Sequence, residues 1–235
     1  MVNVAIMTSP RQPSYLGQTL RSLFASDGAA QLHVRLVVDG ANPAYVGNWK
    51  NHARVKVETL TVQRSAQLRK LPIARRIGET CFRCLKGAPA GPLVLLQDDV
   101  ELAPHWLKAT LDGAQEAELR LANRSRDGVP LPAEYVLALY TTKALGPNER
   151  PLALYKPAEF YGSQGLLFPA QVMVKLVPFF EAQRHHGLMD DMLLKQFFME
   201  HGIHLHAINP NVVQHIGTSC THQGHFHQSP TYGKG

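Results

Sequence analysis

Pro92-Leu93-Val94-Leu95-Leu96-Gln97-Asp98-Asp99-Val100-Glu101 is the stretch that decides the fold. Its first half is apolar without alternation, the pattern of a strand covered on both faces in a parallel sheet. Three carboxylates then follow within four positions. An acidic turn capping a helix that begins near Pro104 would account for them. So would a site for a hard cation, because Mg²⁺ and Mn²⁺ take oxygen ligands and need few protein carboxylates when a diphosphate supplies the rest.

Working outward from that run, the chain alternates strands and helices. Val2 to Met7 reads as a β-branched strand ending at the capping turn Thr8-Ser9-Pro10-Arg11. Leu16, Leu20, Leu23 and Phe24 share one helical face. His33 to Val38 is a second strand, closed by Asp39-Gly40, and Val55 to Val62 a third. Pro72 to Leu85 reads as a helix that opens near a proline, which a first turn tolerates. Beyond Pro104 the pattern gives a helix over 114–123, a polar loop over 124–132 and a strand over 135–141. It continues with a short strand at 166–168, helices over 169–184 and 190–201, and a last strand over 204–208. This order predicts a layered α/β domain in which ligands gather beyond the carboxyl ends of the strands. Asp39 and Asp98-Asp99 both stand at such ends.

The chain's 235 residues, 45% hydrophobic and 18% charged, suit one large α/β domain. A net charge of +6 suits a polyanionic partner, whether nucleic acid, an acidic surface or a phosphorylated donor. The basic residues are scattered, with a grouping at Arg64, Arg69, Lys70, Arg75, Arg76, Arg83 and Lys86. Three cysteines do not make a disulfide scaffold. Cys81-Phe82-Arg83-Cys84 has metal-ligand spacing but lies in an expected helix, so it reads as two core thiols rather than as part of a zinc site with Cys220 and His222. No stretch has the roughly 18 consecutive apolar residues of a membrane span, and a cytoplasmic protein is expected.

The run Leu95-Leu96-Gln97-Asp98-Asp99-Val100 resembles the DxD-type motif of GT-A glycosyltransferases. Thr8-Ser9-Pro10 and its following helix resemble their first nucleotide-binding turn, and Ala74-Arg75-Arg76-Ile77-Gly78 resembles a segment whose helix lies across the nucleotide. Asn209-Pro210-Asn211-Val212-Val213-Gln214-His215-Ile216-Gly217 is similar to the end of the catalytic domain of the N-acetylglucosaminyltransferase IV family. The sequence departs at Gln97, where relatives often carry an acid. The resemblance implies a GT-A, Rossmann-like mixed sheet over residues 1–220, with a nucleotide-sugar half at 1–103 and an acceptor half at 104–220. Residues 221–235 would form a His/Gly-rich tail.

The same resemblance implies a metal-dependent transferase using a nucleotide-diphosphate sugar, UDP by default. Thr8, Pro10, Arg11, Asp39, Arg75, Arg76 and Asp98 would bind the donor. Asp99, Glu101 and His215 would hold Mn²⁺ or Mg²⁺. Asp190-Asp191 opens an apolar helix, where acids suit the helix dipole. As catalytic groups, one can cap while the other deprotonates an acceptor hydroxyl, with Asp191 favoured and inversion the outcome. Gly162 to Gly165 is either a tight turn or a place where a sugar approaches the backbone, with Gly165 assigned to donor binding. His222, His225 and His227 read as a mobile, solvated or phosphate-facing tail. The acceptor stays open: a glycan, a lipid-linked sugar or a hydroxymethylated base in DNA. A nucleotidyltransferase is disfavoured because the turn over 8–13 lacks the glycines that cradle a triphosphate. A non-catalytic nucleic-acid or glycan-binding domain leaves both acidic pairs unexplained.

Overall fold

The computed structural model describes residues 1–9, 13–39, 46–59, 73–88, 90–126, 134–183, 186–218 and 227–233. Four parallel strands form the first half of the sheet: β1 (Val2–Thr8), β2 (Leu32–Val38), β3 (Val55–Thr59) and β4 (Leu93–Gln97). Of the third expected strand, the residues beyond Thr59 lie outside the described set. The second half contributes β6 (Tyr135–Ala138), β7 (Leu152–Tyr155), β8 (Gly165–Phe168) and β9 (His204–Ile208). The sheet order is β3-β2-β1-β4-β8-β6-β9-β7, and β8 enters antiparallel to both β4 and β6. A separate antiparallel pair joins β5 (Val100–Leu102) to β10 (Val213–His215). The fold is the expected single mixed α/β domain.

Strand periodicity splits the core into two layers. Val2, Val4 and Ile6 of β1 pack beneath helices α1 (Leu16–Ala25) and α3 (Trp106–Arg126). Ala5 and Met7 face the other way, toward α2 (Ile73–Lys86), α4 (Ala170–Gln183) and α5 (Asp190–Glu200). Cys81 and Cys84 sit in this second layer as buried free thiols, and burial pushes both pKa values up. Thiols held protonated in that way pack as small hydrophobes.

Helix α3, β6 and β7 are among the elements that depart from the sequence reading. Helix α3 begins at Trp106 rather than near 114, because Trp106 and Leu107 anchor its first turn in the core. β6 stops at Ala138, before the expected end at Thr141. β7 is a strand that the sequence reading did not anticipate. Its four residues give too little periodicity to stand out, and Leu154 is half exposed.

What positions the site is the order of the first strands. The chain passes from β1 outward to β2 and β3, then crosses to the opposite side of β1 to place β4. The carboxyl ends of β1 and β4 therefore flank a topological switch point, where open α/β sheets leave a crevice.

Candidate functional site

Thr8 closes β1 and Asp98 follows β4, so the two meet across the switch point. The Thr8 hydroxyl donates a short hydrogen bond to Asp98 Oδ2. Asp39 follows β2, and its amide donates to the Thr8 carbonyl at 2.8 Å. The acidic turn is held from below by Thr19 of α1, a buried residue on an otherwise apolar stripe. Its hydroxyl lies 2.8 Å from the Asp98 carbonyl and accepts the Val100 amide at 3.1 Å. Thr19 was missed in the sequence reading; a polar side chain inside an apolar helical stripe is the signal that could have marked it.

Asp99 and His215 come together across the β5–β10 pair. His215 Nε2 stands 3.2 Å from Asp99 Oδ2, with both side chains buried. The register pairs Val100 with His215, which brings Asp99 next to the imidazole. Gly217 permits this approach: a Cβ there would lie 2.5 Å from Asp99 Oδ2 and 3.0 Å from His215 Nε2. No sequence pattern marks that requirement.

The second acidic pair opens α5. Asp190 is buried at 2% exposure, and its Oδ2 accepts a short hydrogen bond from Ser163. The Gln97 side-chain amide donates to the same Ser163 hydroxyl at 2.8 Å. Burial, reinforced by the neighbouring Asp191 charge, raises the Asp190 pKa to about 6, against the lowering effect of the Ser163 bond. Asp191 is less buried and accepts the Met192 amide at 2.8 Å. Gln97 thus serves as a hydrogen-bond donor where an acid was expected by resemblance, and it ties the donor strand to the second acidic pair.

Thr8, Asp39, Asp98, Asp99, His215 and the pair Asp190–Asp191 all line one cavity of about 460 Å³. His227, part of the tail expected to be mobile, solvated or phosphate-facing, lines it too.

Other candidates fall elsewhere. Glu101 lies mid-strand in β5 opposite Gln214, between the buried Val100 and Leu102, and so points to the other side of that strand. Gly165 is buried in β8, where a Cβ would stand 3.2 Å from Val213 Cγ2 and 3.3 Å from Leu139 Cβ; its small size serves core packing. Arg76 forms an ion pair with Asp39, Nη2 to Oδ2 at 2.7 Å, at the cavity edge. Among the described residues, Asp39 Oδ1 is buried without a hydrogen-bond partner. Arg75 is half-buried on α2, one position from Arg76 and so about 100° around the helix from it. Pro10, Arg11, Arg64, Arg69, Lys70, Cys220, His222 and His225 lie outside the described residues. Of the remaining basic grouping, Arg83 pairs with Glu79 and Lys86 with Glu181.

The chemistry of the donor set tests the implied metal. Asp99 offers oxygen and His215 nitrogen, side by side on the cavity wall. Among the described residues, no group of three His, Cys, Asp or Glu side chains could hold an ion unaided. The pair fits a cation that arrives with ligands of its own, such as diphosphate oxygens, and not a self-sufficient protein cage.

No family model matches the chain, and no curated protein does. The similarity of residues 209–217 to the N-acetylglucosaminyltransferase IV family therefore finds no support from either comparison. Among solved structures, that of S. aureus TarS matches 88% of this chain with a TM-score of 0.55 and 13% identity. The structure of S. aureus TarS 1-349 matches 88% of the chain with a TM-score of 0.50 and 12% identity. This chain spans 35% and 58% of the lengths of those two chains. The likeness shows that the chain shares its mixed α/β fold with those structures. No helix among the described residues is long and apolar enough to cross a membrane.

Proposed function

We propose that this chain is a glycosyltransferase that moves a sugar from a nucleotide-diphosphate donor, UDP by resemblance, to an acceptor hydroxyl with inversion. One observation carries the reading: Asp98–Asp99 with His215, and Asp190–Asp191 from a distant part of the chain, line the same cavity. Two carboxylate pairs in one crevice suit a reaction that needs charge neutralised on a leaving group and a proton removed from a nucleophile.

In this reading Asp39, with Arg76 as its counter-ion, faces the nucleoside, and its buried Oδ1 accepts a hydrogen bond from the ligand. Asp99 and His215 hold Mn²⁺ or Mg²⁺ together with the diphosphate, while Asp98 is oriented by Thr8. The bound ion supplies Lewis-acid neutralisation of the departing diphosphate. Asp191, on the more open side of the pair, takes the proton from the acceptor hydroxyl. The acceptor oxygen then bonds to the anomeric carbon from the face opposite the diphosphate. The bond between that carbon and the diphosphate oxygen breaks, and nucleoside diphosphate leaves. Asp190 is too enclosed to meet an acceptor, and it positions α5 through Ser163.

The test is incubation with UDP-sugars and Mn²⁺ in the absence of acceptor, with UDP release as readout. Slow, Mn²⁺-dependent release of UDP is the expected result. Release of pyrophosphate from a nucleotide triphosphate instead would mark a nucleotidyltransferase. Absence of any UDP binding by calorimetry with Mn²⁺ present would overturn the proposal.

A further inference from the structure

His215 has a second neighbour, contributed by the end of the chain. Its Nδ1 lies 3.3 Å from the main-chain carbonyl oxygen of His227. The Tyr140 hydroxyl donates to the same oxygen at 3.1 Å, which fixes the carbonyl from the other side. The segment behind it is rooted in the fold rather than resting on it. The Ser229 amide donates to Gln214 Oε1 at 2.7 Å, and the Ser229 hydroxyl donates to Asn211 Oδ1 at 2.7 Å. Asn211 in turn accepts the Thr141 amide at 2.8 Å at its side-chain oxygen and donates its main-chain amide to Thr231 Oγ1 at 3.3 Å. Ser229 and Thr231 are as buried as core residues. The His227 ring packs edge-on against Tyr161, with centroids 5.0 Å apart.

A carbonyl oxygen only accepts hydrogen bonds, so the imidazole nitrogen facing it carries the proton. With Nδ1 occupied in that way, the coordinating nitrogen of His215 is Nε2, the atom beside Asp99. Metal-binding histidines commonly have their ring orientation set by an acceptor on the far nitrogen. We propose that the 227–231 segment is a positioning element of the metal corner. The His227 carbonyl holds the His215 ring through Nδ1–H, and Tyr140 and Ser229 hold the carbonyl. This rests on the reading of Asp99 and His215 as cation ligands. It deepens that reading by assigning a task to a segment whose sequence suggested only a histidine-rich tail.

The closing experiment uses the full chain and two readouts. In the first, long-range ¹H–¹⁵N spectra of the metal-free protein, with His215 assigned by comparison with His215→Gln, report which ring nitrogens are protonated. A protonated Nδ1 is expected, and an unprotonated Nδ1 overturns the proposal. His227→Ala keeps the carbonyl and removes the ring, so Nδ1 stays protonated. Loss of that proton would show that the ring, not the carbonyl, does the holding, which also overturns the proposal.

The second readout is the dissociation constant of UDP, measured by calorimetry with and without Mn²⁺, in Tyr140→Phe/Ser229→Ala. We expect about a tenfold loss of affinity in Mn²⁺, the usual order for a disturbed outer partner of a metal ligand, and no change without metal. Equal affinities in wild type and variant under both conditions, in a variant whose unfolding temperature stays near wild type, would refute it. If wild-type protein binds UDP no better with Mn²⁺ than without, the reading of Asp99 and His215 as ligands fails. The Nδ1 proton, which needs neither metal nor nucleotide, still decides whether the carbonyl holds the ring.

Discussion

Asp190→Asn should make the protein more stable at neutral pH. The folded protein holds Asp190 at a pKa of about 6, against 3.8 for the free side chain, chiefly because burial disfavours the charge. A raised acid pKa means that the folded state binds the proton more tightly than the unfolded chain. The stabilising contribution is therefore complete below the unfolded pKa of 3.8 and is lost as pH rises through the folded value of about 6. Above that value, the enclosed carboxylate costs roughly 3 kcal/mol, about two pK units at ~1.36 kcal/mol each. Asparagine has nearly the same shape and can still accept the Ser163 hydroxyl, but it has no charge to bury. For a domain of this size, ~3 kcal/mol corresponds to a rise of roughly 6–12 °C in unfolding temperature. Thermal unfolding of both proteins across pH is the assay. The advantage of the variant should be greatest near pH ~7.5, fall to about half near pH ~5 and nearly vanish by pH ~3, where wild type carries its proton in both states. A variant no more stable than wild type at pH ~7.5, or an advantage that does not change with pH, would refute the argument that Asp190 is enclosed and charged at neutral pH.

Asp191→Asn removes the proposed base while leaving the donor side intact, so turnover should fall by about 10²–10⁴ with UDP affinity in Mn²⁺ preserved; a fully active variant would show that Asp191 is not the base. Gly217→Ala drives a methyl group against Asp99 and His215. Its cost in stability should be about 1–3 kcal/mol, as for other overpacked sites, and metal-dependent UDP binding should weaken well beyond what that loss explains; unchanged binding would show that the pair has room to spare. Arg76→Ala leaves the Asp39 carboxylate without its cation. Because Arg76 is itself partly exposed, at 27%, the stability loss should stay near ~1 kcal/mol, with UDP affinity falling at constant turnover; a change in turnover alone would place Arg76 nearer the reacting atoms than the geometry does.

The parts of the fold that were legible in the sequence were those in which every position carried the same message. β4 is apolar at each of Leu93, Val94, Leu95 and Leu96 because helices cover both of its faces, and no other element type fits that run so well. The α1 stripe of Leu16, Leu20 and Leu23 was equally plain. Site residues at strand ends followed from the strands, so Thr8, Asp39, Asp98 and Asp99 could be placed by rule. Glu101 could not. Its carboxylate belongs to the same acidic run, but β5 resumes at Val100, and strand alternation turns Glu101 away from the residues on either side of it. That strand exists only because β10 pairs with it from more than a hundred residues away, and a pairing of that range leaves no local mark. Gly165 misled for a related reason: a glycine beside a loop suggests ligand access, whereas here an added Cβ would crowd Val213 and Leu139.

The meeting of the two acidic pairs follows from one topological fact that periodicity cannot reveal. Strand β8 runs antiparallel to β4, with Gly165 opposite Leu96 and Phe168 opposite Leu93. The chain therefore enters β8 at the carboxyl end of β4, which sets residues 161–164 beside Gln97 and Asp98; the Gln97 main-chain amide reaches the Gln164 main-chain carbonyl at 3.3 Å. It leaves β8 at the opposite end of the sheet, and α4 carries it back across the second core layer. The next helix, α5, then starts at the cavity with Asp190 under Ser163. Had β8 joined the sheet parallel to β4, its entry would lie at the far edge and Ser163 could not touch both Gln97 and Asp190. The Gln97–Ser163–Asp190 chain is the local consequence of that reversal. It links the strand that carries the first acidic pair to the helix that carries the second, so a change at Ser163 should disturb both walls of the cavity together.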